Sequence, residues 1–176
     1  MEPAVNNLFQ NGDFEYLDEN GNPVGWFSTS SQPIHASDRA QHGSKSALIS
    51  GRGDSTHSGA QYIKLKPNRS YRFSGYVKLA DETVEGQDGR LSVWLQGGRV
   101  NSPAGDYTNY VTSYNAFYMN TQDWININSD FNTNISPQEW PTTAYIYPFP
   151  VGSTPLSFYT VSYTHLRAHE TLRHLV

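Results

Sequence analysis

Apolar and polar residues alternate from Tyr71 to Leu79. Tyr71, Phe73, Gly75, Val77 and Leu79 fall on one side, and Arg72, Ser74, Tyr76 and Lys78 on the other. Successive side chains of a strand lie on opposite faces, so this pattern predicts a strand with one buried face. Tyr76 is the exception, an aromatic on the polar side. The stretch Leu91–Gln96 repeats the anomaly. Leu91, Val93 and Leu95 make its apolar side, while Trp94 stands between Ser92 and Gln96 on the polar one. Two large aromatics among polar neighbours predict a face that meets a ligand.

The same reading carries along the chain. Leu8-Phe9 predicts the start of a strand, Asn11-Gly12 a turn, and Phe14 a return to the core. Further strands are predicted at Val24–Phe27, Ile34–Asp38, Ala47–Ser50, Gln61–Lys66, Tyr107–Met119 (one long or two short), Asp123–Phe131, Ala144–Phe149 and Leu156–Tyr159. The segments between them are rich in Gly, Pro, Asn, Asp and Ser, the residues of turns. Trp26 and Trp124 have apolar or aromatic neighbours and are read as core. Short strands at regular spacing, with turns between them, predict an all-β chain: a β-sandwich or jelly roll of two antiparallel sheets.

Composition narrows the function classes. The 176 residues suffice for one domain with a proper core. Aromatics make up 14% and charged residues only 16%, which rules out a disordered chain. The net charge of −4, with no basic run, argues against nucleic acid and anionic membrane as partners. Cysteine is absent, so neither a disulfide framework nor a thiolate metal site can form. Met1-Glu2-Pro3-Ala4 lacks the basic start and apolar stretch of a signal peptide, and a chain with its leader removed reads the same way.

Several pieces recur in an order that resembles the carbohydrate-binding modules of families 4, 9, 16 and 22. They are Asn11-Gly12-Asp13-Phe14-Glu15, Gly25-Trp26, Gly43-Ser44-Lys45-Ser46-Ala47-Leu48 and Ser50-Gly51-Arg52. After these come Leu65-Lys66-Pro67 with Tyr71–Lys78, then Trp124 ahead of Phe131, and Tyr145-Ile146-Tyr147. The resemblance runs from about Asn7 to Tyr159 and is nearest to family 22 and family 4 modules. It implies a jelly roll at residues 5–160 that binds plant cell-wall polysaccharide without cleaving it. Xylan comes first, and mixed-linkage β-glucan or soluble cellulose next. It further implies an extracellular monomer joined in cis to a parent glycoside hydrolase. Such a site needs flat aromatics under the apolar faces of sugar rings and hydrogen-bonding groups at their rims.

The expected ligand platform is Tyr76, Trp94, Tyr110, Tyr145 and Tyr147. The resemblance matches Tyr110 and Tyr145 to two ligand-binding tyrosines of family 22. It puts His57 near the position of a loop tryptophan, and Tyr147 where a glutamate would stand. Trp94 or Trp140 would supply the missing surface, and Arg52 could grip sugar hydroxyls or anchor its own loop. The resemblance also implies a structural Ca²⁺, held by Asp13 or Glu15 and by backbone carbonyls from His42 to Lys45. The aspartate the family takes from its last strand is missing, because Phe158-Tyr159 is followed by Thr160-Val161-Ser162.

Two other function classes compete. A jelly-roll hydrolase or lyase needs two carboxylates facing across a cleft, and most acids here fall in turns: Asp18, Glu19, Asp81, Glu82, Glu85, Asp88 and Asp106. An adhesion or protein-interaction module would use the same aromatic face on a protein. Residues 161–176 differ in character from the rest and carry three of the six histidines. They read as a short helix and resemble translated sequencing-adapter read-through. His169 and His174 lie five positions apart, about 140° around a helix, so they cannot share a metal.

Overall fold

The computed structural model describes residues 7–28, 34–52, 59–63, 69–80, 90–98, 107–111, 116–120, 123–132, 143–150, 156–161 and 167–169. Its strands in chain order are β1 (Phe27–Ser28), β2 (His35–Ser37), β3 (Ser46–Arg52), β4 (Gly59–Ile63), β5 (Ser70–Leu79) and β6 (Arg90–Gly98). They continue with β7 (Tyr107–Val111), β8 (Ala116–Tyr118), β9 (Ile125–Asn132), β10 (Thr143–Pro150), β11 (Leu156–Val161) and β12 (Arg167–His169). Every pairing among them is antiparallel.

They form two sheets. One runs β1-β4-β10-β6-β7, with β8 also on β6. The other runs β12-β5-β11-β3-β2, with β9 along the remaining edge of β5. The sheets pack as a β-sandwich of the jelly-roll kind, as the alternation and turn spacing predict.

The inner face of β5 is the one its alternation predicts: Tyr71, Phe73, Val77 and Leu79 are all buried. They pack with Ile49 of β3, Ile63 of β4, Leu91 of β6, Ile127 of β9 and Leu156 and Phe158 of β11. Burying each such side chain is worth about 1.5–3 kcal/mol. The sheets approach closely at Gly59 of β4. A Cβ there would lie 2.9 Å from Ile34 Cδ1 and 3.1 Å from Ile49 Cδ1. On the solvent side Arg72 and Asp130 face each other across β5 and β9, joined by two hydrogen bonds of 2.6 and 2.8 Å.

The N-terminal segment departs from the expected strand. Leu8 and Phe9 are not in a strand. Their segment is held by side chains instead. Gln61 Nε2 donates to the Gln10 carbonyl at 2.8 Å, and Gln61 Oε1 accepts from the Gln10 N–H at 2.7 Å. The Asn11 amide closes the next turn by donating to the Tyr16 and Val24 carbonyls. Phe9 stacks on Trp26 with centroids 5.5 Å apart, and the Trp26 indole N–H donates to the Asn11 carbonyl. Trp26 and Trp124 both pack against the core cluster, as expected. At the other end, the helix expected in the tail is corrected over residues 167–169. Arg167–His169 is a strand lying against Ser70, Tyr71 and Arg72 of β5, where the backbone groups of a sheet edge offer it partners.

Candidate functional site

The first sheet carries an aromatic face. Its polarity is set by burial: Leu91, Gln61 and Ile63 are buried, while Tyr62, between the last two, is 57% exposed. Alternation from these anchors assigns the register positions of the neighbouring strands. Tyr145 of β10 lies opposite Tyr62 of β4 on one side and Gln96 of β6 on the other. One step along, Tyr147 lies opposite Trp94, and beyond it Phe149 lies opposite Ser92. The backbone register therefore brings Tyr62, Tyr145, Gln96, Tyr147 and Trp94 to one face, across strands about 4.8 Å apart.

Three of the expected platform positions, Trp94, Tyr145 and Tyr147, are thus brought together. Tyr110 lies on β7 beside Val111, within the register shift between Leu95 and Gly97 of its partner. Arg52 closes β3 opposite Leu156. His57 and Trp140 lie outside the described residues.

Tyr76 lies apart from these three. It does occupy the outward row of β5, half-buried, but β5 belongs to the other sheet. Its backbone partners are Asn126 and Val161, and its ring meets the His42 ring edge-on at 5.7 Å. The chain changes sheets between β5 and β6, so two similar patterns in successive strands end on opposite sides of the sandwich.

The face also holds aromatics that the sequence pattern does not single out. Tyr62 is predicted only to lie in a strand, yet its ring stacks on Phe27 of β1 with centroids 4.7 Å apart and planes 27° apart. Phe149 continues the β10 row. Tyr118 of β8, 72% exposed, lies opposite Arg90. A usable signal exists in Gly59-Ala60-Gln61-Tyr62-Ile63, where Tyr62 stands next to an apolar residue that takes the opposite face.

A second feature lies between the N-terminal turn and the end of β11. Asp13, Glu15, His42, Gly43, Ser44 and Val161 line an open pocket of about 480 Å³. Glu15 Oε1 accepts from the N–H groups of Ser44 (2.6 Å) and Lys45 (3.0 Å), and Oε2 accepts from the Ser44 hydroxyl (2.5 Å). These bonds, the Ser44 hydroxyl first, hold the Glu15 carboxyl below its ordinary pKa. Lys45 extends to Asp38, whose carboxylate raises the lysine's pKa.

Ca²⁺ takes six to eight oxygen ligands. Here both Glu15 oxygens already accept hydrogen bonds. The strand residue that reaches the pocket is Val161, and no group of three His, Asp or Glu able to hold a metal occurs among the described residues. These side chains alone do not make up that number, so a calcium ion here would have to draw on backbone carbonyls. Of the turn acids, Asp18 is engaged in its own loop, accepting from the N–H groups of Asn20 and Asn22.

A jelly-roll sandwich with aromatics in register across one open sheet defines a ligand-binding module. The chain belongs to the carbohydrate-binding domain family, whose model matches residues 6–147, and it is a non-catalytic binding module. No curated protein sequence matches it. Among solved structures it is similar to the first family 22 xylan-binding domain of Paenibacillus barcinonensis Xyn10C, with 16% identity, a TM-score of 0.68, and 97% and 99% of the two chains covered. It is also similar to the C-terminal family 22 module of Clostridium thermocellum Xyn10B, with 16% identity, a TM-score of 0.59, and 94% and 99% covered. A third likeness is to part of an arabinose-bound α-L-arabinofuranosidase, MgGH51. There the identity is 15% and the TM-score 0.66, with 92% of this chain and 26% of that one covered. At these identities the likeness is one of fold.

Proposed function

We propose that this module binds β-1,4-linked plant polysaccharide, xylan first and mixed-linkage β-glucan or soluble cellulose next. The carrying observation is the cross-strand register that sets Tyr62 beside Tyr145 and Tyr147 beside Trp94 on one face. Sugar rings present apolar C–H faces that stack on aromatic rings, and hydroxyl rims that suit an amide such as Gln96. Adjacent strands offer such groups at intervals close to the span of a single sugar, so a chain crossing the sheet would meet them in succession. The family 22 neighbours support xylan as the first choice, since the Paenibacillus module among them is a xylan-binding domain. The likeness to one part of a larger glycosidase supports a hydrolase joined in cis. Tethering would then raise the hydrolase's local concentration at its substrate, with no bond broken by this module.

Affinity electrophoresis tests the reading. Native gels contain xylan, mixed-linkage β-glucan, hydroxyethylcellulose, mannan or no polymer. Retardation by xylan, lost in Trp94→Ala, is the expected result. Equal migration of a folded sample in every gel would overturn it.

A further inference from the structure

The geometry points to Phe27 and Tyr62 as an additional sugar-stacking subsite, at the β1 edge of the aromatic face, that takes the end unit of a bound oligosaccharide. The inference rests on the carbohydrate-binding reading above and deepens it.

The pair is built as a platform. Tyr62 leaves 57% of its surface exposed, so one face of its ring is open to a ligand. Yet the ring is stacked on Phe27, with centroids 4.7 Å apart and planes inclined by 27°. A ring held by a neighbour loses little further freedom when a ligand covers it, so more of the stacking energy appears as affinity. Phe27 lies opposite Ala60, which is fully buried and on the same face as Tyr62. The small alanine leaves room for the phenylalanine to lie over β4 and reach Tyr62. Both aromatics are thus positioned by the backbone pairing of β1 with β4.

The position fits an end subsite. Tyr62 is the direct cross-strand partner of Tyr145, so its ring extends the row Gln96–Tyr145 by one strand. β1 closes this sheet in the strand order β1-β4-β10-β6-β7. A sugar chain running across the strands therefore reaches Tyr62 and Phe27 last. The tyrosine hydroxyl can both donate to and accept from a sugar hydroxyl there. Short ligands that fill only the β10 and β6 positions leave this subsite empty, and longer ones occupy it.

The test is isothermal titration of the full chain with xylo- and cello-oligosaccharides, from disaccharide to hexasaccharide. Wild type is compared with Tyr62→Leu, which keeps apolar bulk on Phe27 without a ring, and Tyr62→Phe, which keeps the ring. Melting curves check that each variant is folded. Wild type is expected to gain affinity with length. Tyr62→Leu is expected to match it on the shortest bound oligosaccharide but to lose about three- to tenfold on the longest, with Tyr62→Phe restoring most of the loss. Equal affinities of wild type and Tyr62→Leu at every length would overturn the subsite and leave the binding reading standing. Failure of wild type to bind any oligosaccharide would overturn both.

Discussion

Glu15 holds Ser44 by both carboxylate oxygens, one accepting from the Ser44 backbone N–H at 2.6 Å and the other from its hydroxyl at 2.5 Å. The Lys45 N–H adds a third bond. All three favour the ionised carboxylate, so the folded-state pKa lies below the ordinary, unfolded value of 4.5. The stabilisation is fully present above that unfolded value and is lost as pH falls through the lower folded one. Thermal melts from pH 7 down to pH 3 should show a loss of Tm at the acid end that is shallower in Glu15→Gln. An unchanged acid limb in that variant would remove Glu15 from the account.

The same clasp leaves no room for a side chain at Gly43 unless the Glu15 carboxylate moves away. The glycine's φ is +71°, and a Cβ would run into the Glu15 carboxylate. Gly43→Ala is expected to cost more than the ~1 kcal/mol of the backbone conformation alone. Urea unfolding reads this as a lower midpoint at unchanged m.

The pocket beside the clasp is lined by Asp13, Glu15 and His42 and, from β11, by the apolar Val161. Melting in EDTA and in millimolar CaCl₂ should therefore give the same Tm. A Tm that rises with calcium, following the mass-action form for a ligand of the native state, would show that backbone carbonyls and water make up the missing ligands.

Gln61 stitches the N-terminal segment to β4 through the Gln10 backbone, and it is 4% exposed. Gln61→Ala leaves the Gln10 N–H and carbonyl without their partner, at a cost of about 1–3 kcal/mol. Hydrogen exchange should show the Gln10 amide losing protection well before the β5 amides do.

Tyr76 and Tyr147 separate the two faces in one experiment. Tyr147 shares its face with Trp94, whereas Tyr76 belongs to the opposite sheet. Tyr147→Ala should abolish retardation in xylan gels, and Tyr76→Ala should leave it intact. The reverse result would move the site to the β5 side.

The local architecture was legible from the order of residues. Period-two alternation named the buried face of β5 residue by residue, and turn-forming clusters marked the strand limits to within a few positions. Both signals are local: alternation follows from strand geometry, and turns from the backbone preferences of Gly, Pro, Asn and Asp. Local pattern also placed Trp26 and Trp124 against the core. It failed at Leu8-Phe9, where an apolar pair is packed without a ladder because the buried Gln61 side chain bonds to the Gln10 backbone.

Which strands share a sheet was not legible there and came from the folded arrangement. Tyr76 and Trp94 carry the same local signature, an aromatic in a polar row, yet they lie on different sheets. Alternation reports which side of its own strand a residue takes, and nothing about which sheet that strand joins. That choice is made by long-range pairing, by β10 inserting between β4 and β6 and by β11 between β3 and β5. The same pairing put Tyr62 opposite Tyr145, a residue far away along the chain, and so assembled the aromatic face from residues that no local pattern connects.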